Sequence, residues 1–163
     1  SPITTHIPVQ KISSLLNKKK IINNVKTIVK FYNKNFNKKI KIGITGLNPH
    51  CYSPYKNTEE ELIIKPAIKL LKKKNFDVFG PLSPDTAFIK KNLKKFDVII
   101  GMYHDQILTP VKTLFEQKAI NITLGIPFIR ISPDHGVGSD IVGKKQADPT
   151  SLIECINFFK NLK

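Results

Sequence analysis

Short apolar runs alternate with longer amphipathic segments along this chain of 163 residues, and that alternation limits its fold more than any other feature. Residues 97–102 are apolar almost throughout, which is typical of a strand buried on both faces of a parallel sheet. Residues 18–36 place Ile21, Val25 and Ile28 at helical spacing, with Lys and Asn on the opposite side. Strands that alternate with helices predict an α/β fold with a mostly parallel sheet.

The same patterns predict the other elements of the fold. Helices are expected at residues 8–16, 18–36, 58–74, 106–117 and 149–162. Strands are expected at residues 40–44, 76–79, 97–102, 120–124 and 128–131. A further short helix is expected after Ser83, capped by that side chain and with Pro84 at its first position.

Two predicted helices have a defined apolar face. The helix at residues 58–74 is expected to turn these side chains inward: Leu62, Ile64, Ala67, Ile68 and Leu71. The terminal helix is expected to bury Leu152, Ile153, Ile156 and Phe159. Thr58 and Glu61 have the spacing of a capping box at the start of the first of these helices.

The net charge of +15 comes almost entirely from lysine, because Arg130 is the one Arg among 27 Lys and Arg residues. Such a charge would normally suggest a nucleic-acid or other anionic partner. Abundant Lys, Asn and Ile with scarce Arg is instead what A+T-rich coding DNA produces, and the sequence carries no recognisable nucleic-acid-binding module. We therefore expect no nucleic-acid partner, although the charge would help to attract a phosphate-bearing substrate.

The length and the apolar content of 40% fit one domain with a sizeable core. The longest apolar runs are too short to span a membrane, and no signal peptide is visible. Cys51 and Cys155 are too few for a disulfide framework, so a reduced, cytoplasmic setting is expected. Because the first residue is Ser rather than Met, the chain is expected to be processed or to be part of something longer.

Histidines are scarce, and each lies at the edge of an apolar run: His6, His50, His104 and His135. In open α/β sheets, functional sites gather at the carboxyl ends of the strands. His50 and His104 each follow a predicted strand, while Arg130 and His135 flank the end of another. The sequence therefore predicts that these residues converge on one edge of the sheet.

Histidines on three separate loops can bind a divalent metal and leave coordination positions open for substrate. The alternative is that each His caps a loop or bonds a backbone carbonyl. Asp105, next to His104, could orient a metal ligand or act as a base, and it could equally cap a helix. Cys51 follows His50, but adjacent side chains seldom point together, so a catalytic cysteine is not expected.

Lys112, Asn121 and Arg130 follow one another at intervals of nine residues. Arg offers a planar fork for phosphate or carboxylate, and Lys a point charge. Asn121 lies in a strand that is predicted to be buried, so its amide must find partners in the fold or in a ligand. The alternative to a substrate-binding role for Lys112 is that it is an ordinary solvated lysine. The sequence contains no Gly-x-Gly-x-x-Gly, Walker-type or Gly-x-Ser-x-Gly motif.

Several longer motifs resemble one known family in order and content. They are Thr4-Thr5-His6-Ile7-Pro8, Gly46-Leu47-Asn48-Pro49-His50, Gly80-Pro81-Leu82-Ser83-Pro84-Asp85-Thr86, Met102-Tyr103-His104-Asp105-Gln106, the stretch from Asn121 to Arg130, and Asp134-His135-Gly136. Together they resemble the C-terminal half of 4-hydroxythreonine-4-phosphate dehydrogenases, enzymes of pyridoxal phosphate biosynthesis. The resemblance covers residues 1–163 as a single α/β region, with the N-terminal half of the family protein absent.

The resemblance implies the α/β/α sandwich of isocitrate and isopropylmalate dehydrogenases, working as a homodimer with active sites at the subunit interface. It implies oxidation of 4-phosphooxy-L-threonine with NAD or NADP, followed by decarboxylation to 3-amino-2-oxopropyl phosphate. By motif, His6, His50 and His104 correspond to the ligands of a divalent metal (Zn, Mg, Mn or Co). Likewise, Lys112, Asn121 and Arg130 correspond to the substrate-binding residues.

Three departures from the family pattern stand out. The family has a glycine-rich stretch with another His where this chain has residues 51–55 and is one residue shorter. Ile107 replaces a Gly, and Val137 replaces a Thr. These changes fit either a drifting A+T-rich genome or a weakened enzyme. Two other functions stay open: a non-catalytic remnant, and a related dehydrogenase acting on threonate or erythronate 4-phosphate, whose discriminating groups would lie mostly in the absent half.

Overall fold

Four parallel strands form the central sheet of the computed structural model, which describes residues 1–136 and 138–162. The strands are β1 (Pro2–Thr4), β2 (Ile42–Thr45), β3 (Val78–Leu82) and β4 (Val98–Tyr103). Their order across the sheet is β1-β4-β2-β3, so β4 lies between the two strands that come earliest in the chain. Because all neighbouring pairs are parallel, the carboxyl ends of the strands meet at one edge.

Seven α-helices accompany these strands in the described residues. They are α1 (Ile12–Leu15), α2 (Lys18–Phe36), α3 (Lys65–Lys73), α4 (Pro84–Ala87), α5 (Lys90–Leu93), α6 (His104–Phe115) and α7 (Thr150–Lys160). Helices α2 and α3 pack against each other and against the sheet, and α6 packs on β4 and β1. Among the described residues, no helix has both the length and the apolar character that crossing a membrane requires.

Helix α2 begins and ends where the sequence predicts. Asn17 accepts a hydrogen bond from the Lys20 backbone N–H at 2.9 Å, which satisfies one of the unpaired donors of the first turn. Asn37 ends the helix in the left-handed conformation, with φ of 49°. The residues at helical spacing, including Ile21 and Val25, are fully buried in the core beneath the sheet.

The helix predicted at residues 58–74 starts with a π-helical turn, Glu60–Ile64, before α3. A π turn holds more residues than an α turn, so the inward face shifts along the sequence. Leu62 is consequently 54% exposed, and the prediction that it is buried is wrong. The capping box does not form, because the Glu61 N–H bonds the Thr58 carbonyl oxygen at 3.1 Å and no side chain caps the turn.

Ser83 stands at the N-cap position of α4, as the sequence predicts, but its side chain does not cap the helix. Its hydroxyl donates instead to the carboxylate of Asp85 at 2.6 Å. Helix α6 begins at His104, two residues before the predicted start, and contains Pro110. This earlier start places His104 at the end of a sheet strand and in the first turn of a helix at once.

Strands β5 (Ile120–Thr123) and β6 (Arg130–Pro133) form a separate antiparallel ribbon. Both strands are predicted from the sequence, but the ribbon is not part of the parallel sheet. Arg130 opens β6 rather than flanking its end, so that part of the sequence prediction is wrong. The four histidines and Arg130 therefore do not share one sheet edge, since Arg130 belongs to the ribbon.

Helix α7 packs on the ribbon through small side chains. Its buried residues are Ser151 and Cys155. Ser151 donates its hydroxyl to the Ala119 carbonyl at 2.6 Å and accepts from the Asp134 N–H at 3.2 Å, which ties the helix to the residues just before β5 and just after β6. The larger apolar residues predicted to face inward are instead about half-exposed: Leu152, Ile153, Ile156 and Phe159. That prediction is wrong because α7 turns the face of Ser151 and Cys155, and not the larger apolar residues, toward the ribbon.

The Ile at position 107 is accommodated by a glycine on the neighbouring strand. Ile107 lies in the first turn of α6 and is almost fully buried. A Cβ atom at Gly101 of β4 would lie 2.6 Å from Ile107 Cγ1 and 3.0 Å from Gln106 Oε1. Ile107 thus fills the space that a side chain at position 101 would occupy.

We expect Gly101→Ala to lower the free energy of unfolding by about 1–3 kcal/mol, because the added methyl group overpacks this contact. Chemical denaturation of Gly101→Ala, Ile107→Ala and the double variant measures the effect. The loss of unfolding free energy in the double variant is expected to be about 1–3 kcal/mol smaller than the sum of the losses in the two single variants, because the new methyl group occupies the vacated space. Additive changes would contradict this account of the contact.

Candidate metal and substrate site

His6 and His104 meet at the carboxyl edge of the sheet. Thr4, the last residue of β1, pairs with Tyr103, the last residue of β4. His6 and His104 follow these two strand ends and are brought together across 98 residues of sequence. Their ring centroids are 5.3 Å apart, with an angle of 52° between the ring planes.

This spacing fits two ligands of one divalent ion. An imidazole nitrogen lies about 2.0–2.1 Å from Zn²⁺, so two rings on a tetrahedral ion have centroids roughly 5 Å apart. His6 has a φ of 53°, a left-handed conformation that costs a non-glycine residue free energy. Such strain at a candidate ligand is what a preorganised site would contain.

Asp105 is placed to orient the ring of His104. Its carboxylate Oδ1 lies 2.6 Å from Nδ1 of His104. With the proton on Nδ1, the carboxylate accepts that hydrogen bond and Nε2 presents its lone pair. This is the usual arrangement around metal-bound histidines, and it matches the orienting role considered for Asp105.

His50 lies on a short 3-10 turn, Pro49–Cys51, that follows β2. Its side chain is 76% exposed, and its Nδ1 is 3.4 Å from Oδ2 of Asp85. The hydroxyl of Ser83 and, more weakly, the charge of His50 hold the pKa of Asp85 below its usual range. In the structure His50 therefore contacts the start of α4.

The described residues contain no group of three or more His, Cys, Asp or Glu side chains gathered around one point. Two of the three predicted ligands, His6 and His104, are paired, while His50 faces Asp85. The three-histidine metal site therefore stays a prediction, and the structure shows only the contact between the rings of His6 and His104.

Gln106 joins the strand ends behind this site, and the sequence did not single it out. Its Oε1 accepts hydrogen bonds from the Met102 N–H at 2.6 Å and the Thr45 hydroxyl at 2.9 Å. Its Nε2 donates to the Gly46 carbonyl at 2.9 Å. Thr4 adds a bond from its hydroxyl to the Met102 carbonyl at 2.8 Å. The first turn of α6 is thereby fixed to the ends of both β2 and β4.

Glu60 is a second residue that the sequence analysis missed. It is 1% exposed, in the π-helical turn before α3. Its carboxylate accepts hydrogen bonds from the backbone N–H groups of Leu47 and Asn48. Burial alone would raise the pKa of Glu60, but hydrogen bonds from Asn48 and Leu47 outweigh it and hold the pKa below its usual range. A carboxylate in a Lys-rich amphipathic segment gives no local sign of such burial.

Two of the predicted substrate residues share one face of the ribbon. Asn121 pairs with Ser132, and Thr123 pairs with Arg130, so these four side chains project from the same side. Arg130 donates from Nη1 to the Thr123 hydroxyl at 2.9 Å. Asn121 is exposed, and the prediction that its strand buries it is wrong. An exposed amide and an exposed guanidinium on one face are both available to a ligand.

Lys112 links α6 to the end of the ribbon. Its Nζ donates to the Asp134 carbonyl at 2.6 Å and lies 3.7 Å from the Asp134 carboxylate. Lys112 is eight residues beyond His104 on the same helix, or about 12 Å along its axis. The predicted metal and substrate residues are therefore connected through α6.

The surroundings of His135 and Cys51 do not favour a metal ligand or a nucleophile. His135 Nδ1 lies 2.9 Å from the Gly136 carbonyl oxygen, the backbone contact that was the alternative to metal binding. Burial raises the pKa of the Cys51 thiol, which disfavours the nucleophilic thiolate. Val137, noted above as a departure from the family pattern, lies outside the described residues.

The sequence profile of the family described as "Pyridoxal phosphate biosynthetic protein PdxA" matches residues 1–159. The chain belongs to this family. It is 49% identical over 163 residues to a 4-hydroxythreonine-4-phosphate dehydrogenase of Sulfurihydrogenibium sp. (strain YO3AOP1), covering 99% of this chain and 50% of that relative. The chain spans about half the length of the curated relatives it matches.

Solved structures of this family have the same fold. A crystal structure of 4-hydroxythreonine-4-phosphate dehydrogenase from Klebsiella pneumoniae matches with a TM-score of 0.81 at 32% identity, covering 95% of this chain and 47% of that one. The corresponding protein from Burkholderia phymatum matches with a TM-score of 0.80 at 34% identity, covering 98% and 49%. The family resemblance and the α/β fold class predicted from the sequence are confirmed.

Proposed function

We propose that this chain supplies the metal-binding and substrate-binding half of a 4-hydroxythreonine-4-phosphate dehydrogenase in pyridoxal phosphate biosynthesis. The reaction is oxidation of the C3 hydroxyl of 4-phosphooxy-L-threonine and decarboxylation to 3-amino-2-oxopropyl phosphate. The observation that carries the proposal is the His6–His104 pair at the sheet edge, in a chain of the PdxA family. Two free cysteines, Cys51 and Cys155, support a cytoplasmic location.

His6 and His104 would hold the divalent ion, with His50 as the proposed third ligand. When bound, Zn²⁺, Mg²⁺, Mn²⁺ or Co²⁺ supplies Lewis-acid polarisation of the substrate hydroxyl and carboxylate. Asp105 holds the proton on His104 Nδ1 and so keeps Nε2 as a lone-pair donor. The network of Gln106 fixes the turn that carries His104.

Arg130 and Asn121 would bind the anionic and polar groups of the substrate on the exposed face of the ribbon. Within residues 1–136 and 138–162, one of the five N–H donors of Arg130 is occupied, by Thr123, so a planar fork is available there for a phosphate or carboxylate. Lys112 would add a point charge by exchanging its contact with Asp134 for the substrate.

NAD or NADP is the proposed hydride acceptor, and its nicotinamide supplies the redox chemistry when bound. The sequence lacks the Gly-x-Gly-x-x-Gly loop of dinucleotide-binding folds, so no residue of this chain is assigned to the nucleotide.

We further propose a homodimer with the active site at the subunit interface. The exposure of His50 and the half-exposed apolar residues of α7 support a surface that a second subunit or the other half of the enzyme covers.

The test is an assay of the purified chain, alone and mixed with the N-terminal half of the Sulfurihydrogenibium relative. The substrates are NAD or NADP and 4-phosphooxy-L-threonine, with each of the four metals in turn. We expect NADH and CO₂ in equal amounts from the mixture, and a lower kcat/KM with threonate or erythronate 4-phosphate. Absence of turnover both alone and in the mixture would overturn the proposal.

A further inference from the structure

We propose that Glu60 is a positioning residue of the metal site, whose buried carboxylate presets the backbone of residues 46–51 and thereby the orientation of His50. The inference rests on the proposed function, because it gives His50 a role in binding the ion. Glu60 itself would not bind the ion.

Both oxygens of Glu60 bond the segment that carries His50. Oε1 accepts from the backbone N–H of Leu47 at 2.7 Å and from that of Asn48 at 2.8 Å. Oε2 accepts from the side-chain Nδ2 of Asn48 at 2.8 Å. Two of these bonds hold successive peptide groups directly before the Pro49–Cys51 turn, and the third holds the side chain of Asn48. A buried carboxylate with three donors is costly to rearrange, so the segment has one preferred conformation.

The backbone that Glu60 holds is strained at the histidine itself. His50 has a φ of 55° and Cys51 a φ of 56°, two consecutive non-glycine residues in the left-handed region. Such conformations persist only where the surrounding structure over-determines them, and they cluster at ligand-binding sites. Among the described residues, Glu60 is the acceptor for the backbone N–H groups of Leu47 and Asn48, which precede the turn. Without these bonds the turn is expected to relax toward ordinary φ values.

Gly46 allows the carboxylate to come this close. A Cβ atom at position 46 would lie 3.0 Å from Glu60 Oε1 and 2.7 Å from Cys51 Sγ. The glycine thus lets the end of β2 touch both the carboxylate and the strained turn. The same residue accepts a hydrogen bond from Gln106, two residues after His104. The two histidine-bearing segments therefore meet at one backbone group.

Asn48 connects the carboxylate to a second acidic residue. Its Nδ2 donates to Glu59 Oε2 at 2.9 Å as well as to Glu60 Oε2. Glu59 in turn accepts from the hydroxyl of Ser13 in α1. The amide of Asn48 must point its two N–H groups at the two carboxylates, which fixes its rotamer and the start of the turn.

The test compares the Glu60→Gln and Glu61→Gln variants of the full-length natural protein. Gln keeps the size and one acceptor oxygen, but its NH₂ group faces Nδ2 of Asn48, so donor meets donor. Glu61 is the neighbouring exposed carboxylate and controls for the change of charge. Asn48→Ala is a milder variant, since it removes only one of the three bonds to Glu60.

Three quantities are measured: the dissociation constant for Co²⁺ from its visible absorption, the amide hydrogen exchange of Leu47 and Asn48, and the Tm of the metal-free protein. For Glu60→Gln we expect Co²⁺ to bind roughly 10–100-fold more weakly and the two amides to exchange faster. Asn48→Ala is expected to lose less than about tenfold. Glu61→Gln is expected to match the unmodified protein.

Unchanged Co²⁺ affinity in folded Glu60→Gln overturns the inference, even if the Tm falls, because Glu60 would then serve only stability. If Glu60→Gln does not fold, unchanged Co²⁺ affinity and amide exchange in Asn48→Ala overturn it in the same way. An unmodified protein that binds Co²⁺ but has no dehydrogenase activity would contradict the proposed function and leave the role of Glu60 standing. An unmodified protein that binds no Co²⁺ would contradict both.

Discussion

Replacing His6 and His104 together by Ala is expected to abolish specific binding of Co²⁺ or Zn²⁺. Structural zinc sites with four ligands have binding free energies of about 10–16 kcal/mol, which is roughly 2.5–4 kcal/mol for each ligand. Each single replacement should therefore weaken binding by about 100-fold or more, and the pair by about 10⁴-fold. Titration followed by Co²⁺ absorption or by calorimetry measures the loss.

His135→Ala is the matched control for these variants. His135 has the same side chain and is exposed, and its Nδ1 lies 2.9 Å from the Gly136 carbonyl oxygen. We expect it to leave metal affinity unchanged. His50→Ala tests the third proposed ligand and should weaken binding as much as either single change. Metal binding that survives replacement of His6, His50 and His104 together would contradict the assignment.

Arg130→Ala is expected to lower kcat/KM for 4-phosphooxy-L-threonine roughly 30-fold to several thousand-fold. This factor corresponds to a loss of about 2–5 kcal/mol of transition-state stabilisation. In the proposed site the guanidinium would direct two parallel donors toward an oxyanion of the substrate, and Ala would leave that anion without them. Arg130→Lys keeps the charge without the planar fork, so an intermediate loss is expected. Steady-state kinetics of the complete enzyme measure all three proteins.

Lys118→Ala controls for the change in net charge. Lys118 is exposed on the short turn before β5, and its removal lowers the charge by the same one unit. We expect kcat/KM to change by less than about twofold, since exposed charges act weakly through screened solvent. Equal losses of kcat/KM in Arg130→Ala and Lys118→Ala would show that Arg130 acts only through the net positive charge of the protein.

Elements fixed by short-range patterns could be predicted from the sequence. Helix α2 combines an Asn cap with apolar side chains every three or four residues, and both signals lie inside the segment. Strand β4 is recognisable from a continuous apolar run. The histidines at the carboxyl edge follow from the general geometry of parallel sheets.

Contacts between distant segments could not be predicted in this way. The pairing of His6 with His104 depends on β1 lying beside β4. The local sequences of these two strands do not determine the order of strands in the sheet. The burial of Glu60 depends on a π-helical turn that shifts the inward face, whereas the sequence pattern assumed an α-helix. Gln106 looks like a solvated polar residue until the ends of β2 and β4 are brought to it.

The wrong prediction that the apolar face of α7 is buried has a different cause. The pattern of Leu152, Ile153 and Ile156 correctly indicates an apolar face, but within the described residues nothing large enough covers it. An amphipathic pattern shows that a surface is apolar and does not identify its partner.

The central claim is that His6 and His104 hold one divalent ion at the carboxyl edge of the sheet. Anomalous diffraction from crystals of the protein loaded with Zn²⁺ or Co²⁺ tests it most directly. The account predicts an anomalous peak between the two rings, about 2.0–2.1 Å from one nitrogen of each. A bound ion located elsewhere, with the space between these two rings empty, would contradict it.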